Sequence, residues 1–122
     1  MASVRSDWWV ICLCAGWCGV CRDWRPLFEQ AARDNPRLRF AWVDVEDEAD
    51  TMGDVDVETF PTVLVARGDE ARFLGPVHPS AAQVSRLITS LQARQEPAAG
   101  LPGEAQALLE RLAAHVLPDA AL

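Results

Sequence analysis

Apolar and polar positions repeat with two different periods along this chain, and the switches between them lay out its elements. Residues 8–14 (WWVICLC) are an uninterrupted apolar run, the pattern of a strand covered on both faces. Ala15 and Gly16 make a short turn. From Cys18 to about Asp34 the apolar positions Trp24, Leu27, Phe28 and Ala31 recur at i, i+3, i+4 and i+7, which predicts an amphipathic helix kinked at the internal Pro26. Residues 38–45 (LRFAWVDV) predict a second strand, apolar on both faces. Strand, helix and strand form a βαβ unit with a right-handed crossover.

The polar stretch 46–58 has room for one short helix around Ala49 to Val55. Residues 62–66 (TVLVA) read as a third strand entered through Pro61, and Gly68-Asp69 turns it into a short fourth strand at 71–74. Ser80 with Gln83 has the spacing of a capping box, ahead of a helix whose stripe is Val84, Leu87, Ile88 and Leu91. Residues 95–103 (QEPAAGLPG) are a linker by composition. A last helix, 104–116, carries Ala105, Leu108, Leu109, Leu112 and Val116 on one face and stops before Pro118. The organisation expected is therefore a main domain at 1–94, a linker at 95–103 and a helical extension at 104–122.

At 122 residues, half of them apolar and 24% charged, the chain is sized for a single hydrophobic core. Its net charge of −7 argues against nucleic acid as a partner, because phosphates would be repelled. No apolar run approaches the ~18 residues a membrane span needs. Arg5 followed by the run from Trp8 to Ala15 imitates a secretory leader, but Asp7 is out of place, and cleavage near Gly16 would remove the first strand. A cytoplasmic protein is the expectation. All eleven basic residues are Arg, and the chain has neither Lys nor Tyr. Residues 44–58 hold eight acids and no base, without the glycine frame of a calcium loop, and read as a solvated acidic face. His78 and His115 read as surface residues.

The four cysteines, Cys12, Cys14, Cys18 and Cys21, lie within ten residues of one another. A secreted disulfide framework would spread them to close long loops, so the crowding points to redox or metal chemistry. Trp17-Cys18-Gly19-Val20-Cys21 follows a buried strand and opens a helix. Cys18 at the helix start meets unpaired N–H groups and the positive end of the dipole, which favour a negatively charged sulfur and make it the expected nucleophile. Cys21, one turn deeper on the same face, is the expected resolving thiol. Cys12 and Cys14 share a face of the strand, either as small core residues or as a second redox pair or auxiliary thiol. All four together could also be ligands for zinc or an iron–sulfur cluster.

These residues resemble the thioredoxin family over 8 to about 94. The likeness rests on Trp-Cys-Gly-x-Cys, the internal Pro26, Phe40 to Glu46 as the next strand, Phe60-Pro61-Thr62 before a hydrophobic strand, and the spacing of Gly68 and Gly75. It implies a thioredoxin-like α/β fold, a four-stranded mixed sheet flanked by helices, here with an extra C-terminal helix. By the same resemblance Pro61 is cis and sits beside Cys18, and Trp17, Phe60, Pro61, Leu74 and Gly75 line a groove for an extended substrate peptide. The activity implied is thiol–disulfide exchange with protein or small-molecule disulfides and a redox partner such as a reductase or glutathione. No organic cofactor and no metal are expected. A binding module on the same fold without redox cycling, or a cysteine-cluster metal protein, would be the alternatives.

Three departures from the family matter. Cys12 and Trp42 stand where thioredoxins carry a buried acid and a neighbouring lysine, so proton transfer from Cys21 should be slower or pass through water. Val20 replaces the usual proline and restores an N–H near Cys18, which should make the pair more oxidising. The chain is too short before Trp8 for the family's first strand and helix, leaving the second strand as an apolar sheet edge. The helix 104–116 is the candidate cover, within its own domain or across a dimer, unless it is a mobile tail.

Overall fold

A computed structural model describes residues 7–122, so the leader-like segment at Arg5 lies outside the described residues. β1 (Trp8–Cys14) forms at the apolar run and is buried along almost its whole length. α1 (Gly19–Asp34) follows, then β2 (Arg39–Asp44), which pairs parallel to β1. β3 (Thr62–Arg67) lies antiparallel on the other side of β1, and β4 (Glu70–Pro76) returns antiparallel to β3. The sheet order is β2-β1-β3-β4, a four-stranded mixed sheet with β1 inside it. Gly68 takes φ +59° at the hairpin between β3 and β4, the left-handed conformation glycine adopts without cost.

Alternation along β1 sorts its side chains between two cores. Val10, Cys12 and Cys14 face α1 and α3 (Ala81–Gln92), packing on Trp24, Phe28, Val84 and Ile88. Ile11 and Leu13 face the other way, together with Ala41, Val43 and Leu64. The helix α4 (Glu104–His115) covers that second face, and its Leu108, Leu109 and Leu112 are fully buried there. The segment after residue 103 is thus part of the core of the sheet it follows.

Polar contacts fix α4 at both ends. Gln106 accepts from the Ala71 N–H at 2.8 Å and donates to the Asp69 carbonyl at 2.6 Å, tying the helix to the β3–β4 hairpin. Arg111 donates to the carbonyls of Thr51 and Met52 at 2.7 and 3.0 Å. Those carbonyls end the short helix α2 (Ala49–Met52), so the guanidinium caps it. Gly53 follows with φ +63°, and a Cβ there would lie 3.1 Å from Arg111 Nη2.

The apolar edge at β2 is covered by the same chain. After α4 the backbone turns at Val116 and enters α5 (Leu117–Ala120), with Pro118 in its first turn, where its missing N–H is harmless. The helix 104–116 stops before Pro118 as the sequence predicts; what the sequence does not predict is the separate turn of helix that begins at Leu117. Ala121 then bridges antiparallel to Ala41, and the Leu122 N–H donates to the Phe40 carbonyl at 2.8 Å.

Smaller differences also have local causes. α2 ends at Met52 rather than near Val55, because Gly53 leaves helical space. On α1 the inward face is Cys21, Trp24, Phe28 and Ala31, while Leu27 is half exposed. Leu109→Ala should cost about 2–5 kcal/mol in urea unfolding, the usual range for an emptied core leucine. A loss below about 0.5 kcal/mol would mean that α4 does not hold the sheet.

Candidate functional site

The C-terminal end of β1 and the start of α1 bring all four cysteines into one cluster, among Trp24, Phe28 and Phe40. Cys18 is the N-cap residue of α1, with extended backbone (φ −83°, ψ 119°) and no side-chain cap. Its N–H donates to the Ala15 carbonyl at 3.1 Å, closing the turn that follows β1. The Cys18 thiol is free and partly exposed. Cys12, Cys14 and Cys21 are buried, at 0%, 0% and 1% exposure.

Cys21 is joined in a disulfide to Cys14, with a Cα–Cα distance of 5.9 Å. Sequence reasoning pairs Cys21 with Cys18. The structure places Cys14 directly beneath the first turn of α1, within the separation a disulfide spans, because it is the last residue of β1 on the face α1 covers. Cys12 lies one step back on that face, its Sγ 3.8 Å from Cys14 Sγ. Burial pushes the Cys12 thiol up to about 12, and the neighbouring Trp24 indole lowers it only in part. That indole N–H forms no hydrogen bond of good geometry. Trp42 sits opposite Cys12 in the sheet register.

Asp44 is a site residue that the acidic-face reading did not single out. Its Oδ2 accepts from the Gly16 N–H at 2.9 Å, and its Oδ1 from the N–H groups of Glu46 and Asp47 at 2.8 and 3.1 Å. The carboxylate therefore ties the turn before Cys18 to the end of β2. The approach is close, since a Cβ at Gly16 would lie 3.1 Å from Oδ2 and the carboxylate would have to shift slightly. A short polar residue at a strand end was the available signal.

Trp17 is 64% exposed beside Cys18, and its ring meets Phe60 edge-on at 5.7 Å. The Phe60–Pro61 peptide bond is cis, and the Pro61 carbonyl accepts from the Val77 N–H at 3.0 Å. Gly19 and Val20 are exposed on the first turn of α1. Gly75 lies opposite Val63 in the register, where the Phe73 ring would be 3.1 Å from a Cβ. Leu74 points to the face that α4 covers. Phe73, on the opposite face of β4, shares a cavity of about 500 Å³ with Phe60 and His78.

Trp17 and Phe60 also line a second cavity, of about 360 Å³, whose wall includes Glu46, Asp56 and Glu58. A third, of about 480 Å³, reaches Cys21 between Arg22, Arg25, Trp42 and Leu122. The Arg25 guanidinium lies over the Trp42 ring at 5.1 Å.

A thioredoxin family model matches residues 2–88. The chain is 34% identical over 73 residues to "Putative thioredoxin 2" of Streptomyces coelicolor, covering 60% of this chain and 51% of that protein. It is 31% identical over 109 residues to the rice "Protein disulfide isomerase-like 2-3", covering 88% of this chain and 24% of that protein. The chain thus spans about half the length of the first of these relatives and about a quarter of the second. Among solved structures, thioredoxin from Fasciola hepatica superposes with a TM-score of 0.62 at 24% identity, over 70% of this chain and 82% of that one, a likeness of fold. The matched segment holds the sheet, α1 and the cysteine cluster. The chain belongs to the thioredoxin family.

The Cys12 environment has a measurable consequence. An unfolded chain ionises this thiol near 9, whereas the folded chain holds it neutral to about 12. Its contribution to stability is therefore complete below pH 9 and is lost as pH rises towards 12, by about 1.4 kcal/mol per unit at most. The chain has no Lys or Tyr, the residue types whose ordinary pKa lies at about 10. Cys12→Ala should flatten the decline in urea midpoint between pH 9 and 11; parallel curves for the two proteins would refute the assignment.

Proposed function

We propose that the chain is a thiol–disulfide oxidoreductase. The observation that carries this is the partly exposed Cys18 thiol at the start of α1, set beside buried cysteines close enough to bond. With the buried bond reduced, the Cys18 thiolate attacks a substrate disulfide and forms a mixed disulfide. Cys21, three residues on in the same helix, attacks Cys18 Sγ and releases the substrate's second thiol. The sulfurs carry the two electrons, so the chemistry needs no metal or organic cofactor.

Proton removal from Cys21 falls to water. Cys12 holds its proton at neutral pH and makes a poor base, and the cavity reaching Cys21 gives solvent a path. Trp17, Phe60 and Pro61 would hold an extended substrate strand, with Gly75 keeping side chains out of the path. Leu74 would contribute through the strand it belongs to. We assign protein disulfides as the substrate class, with a reductase or glutathione as redox partner. The crowding of the cysteines supports a cytoplasmic setting over a secreted framework.

The acids beside Trp17 and Phe60 give this reading a charge preference. Disulfide peptides flanked by Arg or Lys should react faster than the same peptides flanked by Asp or Glu, and the gap should narrow as salt rises. Equal rates at low salt would remove these acids from the substrate face.

The exchange reading itself is tested by reduction of a disulfide-linked protein with dithiothreitol as electron donor. Cys18→Ser should lower the catalysed rate at least about 100-fold, as expected for loss of a nucleophile. A variant as active as the parent would sink the reading, and so would a parent no faster than dithiothreitol alone.

A further inference from the structure

The disulfide in this structure joins two cysteines with almost no exposed surface, and the cavity that reaches Cys21 admits water but not a bulky reagent. Cys14 is 0% and Cys21 1% exposed, so a bulky external disulfide has no direct access to either. Cys18 is the member of the cluster with an exposed surface. Cys21 stands between the two, three residues from Cys18 along α1 and 5.9 Å, Cα to Cα, from Cys14 on β1. Cys18 caps the first turn of α1 in which Cys21 lies, so Cys21 is placed to bond to either.

We infer that Cys14 is a second resolving thiol, which moves each acquired disulfide from Cys18–Cys21 at the surface to Cys14–Cys21 in the core. The inference rests on the exchange activity proposed above. Its step conserves atoms and electrons. Cys14, next to the turn residues Ala15 and Gly16 that line the cavity reaching Cys21, gives its proton to water there, and its thiolate attacks Cys21 Sγ. The Cys14–Cys21 bond forms, the Cys18–Cys21 bond breaks, and Cys18 leaves with the electron pair as a thiolate that solvent can protonate. The oxidation itself comes earlier, from the substrate disulfide. Over a full cycle one substrate disulfide becomes two thiols, the thiols of Cys14 and Cys21 become a disulfide, and Cys18 returns to its starting state.

The relay ends at Cys14. Cys12 is the next sulfur along the strand, its Sγ 3.8 Å from Cys14 Sγ, but it sits two residues further from the turn and the cavity that reaches Cys21, and it keeps its proton at neutral pH. The oxidised protein accordingly stores its disulfide out of reach while keeping a reactive thiol at its surface. A reductant must then work through Cys18, which reopens the buried bond by attacking Cys21 in the reverse step.

The test is to map the bond in full-length protein that has been fully reduced and then oxidised with one equivalent of 2-hydroxyethyl disulfide. Accessible thiols are alkylated under native conditions and the sample is digested in acid. All four cysteines lie between Arg5 and Arg22, so cleavage after Trp17 is required. A Cys14–Cys21 bond then links two peptides, whereas a Cys18–Cys21 bond stays inside one.

The expected result is two linked peptides and one fast-reacting thiol, at Cys18. Cys14→Ser should give the bond within one peptide and no fast-reacting thiol. In Cys18→Ser the Cys14–Cys21 bond should form at least tenfold more slowly. Wild-type protein that holds a Cys18–Cys21 bond overturns the relay and leaves the exchange reading standing. Formation of Cys14–Cys21 at the parental rate in Cys18→Ser also overturns it. Wild-type protein that takes up no disulfide overturns the exchange reading and the relay together. The wild-type map decides the matter even if a variant fails to fold.

Discussion

A strand buried on both faces and paired on both edges leaves its chain little freedom, and β1 is such a strand. Its backbone groups are satisfied by β2 and β3, and its side chains need an apolar layer above and below. One layer comes from α1 and α3. The other comes largely from α4, which enters after a nine-residue stretch rich in proline and glycine. Gln106 and Arg111 set that helix against the hairpin and α2 through backbone groups rather than other side chains. Its position therefore depends on the path of the main chain.

The same strand explains where the sulfur chemistry lies. Side chains two apart share a face, so Cys12 and Cys14 both join the α1 side, while Ile11 and Leu13 keep the α4 side purely hydrocarbon. Four residues separate β1 from α1, which brings Cys18 to the rim and Cys21 to the interior. Three of the four sulfurs are thereby enclosed, which separates the thiol that meets substrates from those that can hold the oxidation. Asp44 steadies the connecting turn from the neighbouring strand, and Trp17 and Phe60 flank its outer side.

Much of this was legible in the chain. The uninterrupted run at 8–14 and the i, i+3, i+4 stripes of α1, α3 and α4 mark elements whose periodicity is strong, and the structure forms them within a residue or so. Local conformation was harder. The early end of α2 depends on a positive φ at Gly53 with an arginine from residue 111 laid across it, a contact between segments far apart in sequence. The partner of Cys21 was out of reach for a similar reason. The spacing of Cys18 and Cys21 is visible along the helix, but the height of that helix above the end of β1 is a tertiary fact. Arg72, buried against Trp8 with Glu70 beside its guanidinium, gives no sign in its strand that it points inward.

The bridge from Ala121 to Ala41 joins positions 80 residues apart. A ribosome makes the cysteines before the residues that shield the β2 edge. Until residues 104–122 are made, nothing covers the β2 edge and the face that α4 takes, while four thiols within ten residues can already meet whatever disulfides the surroundings contain. The order of manufacture is thus the reverse of the order of protection. Fidelity in forming the correct sulfur bond depends on how quickly residues 104–122 follow the cysteine-bearing strand.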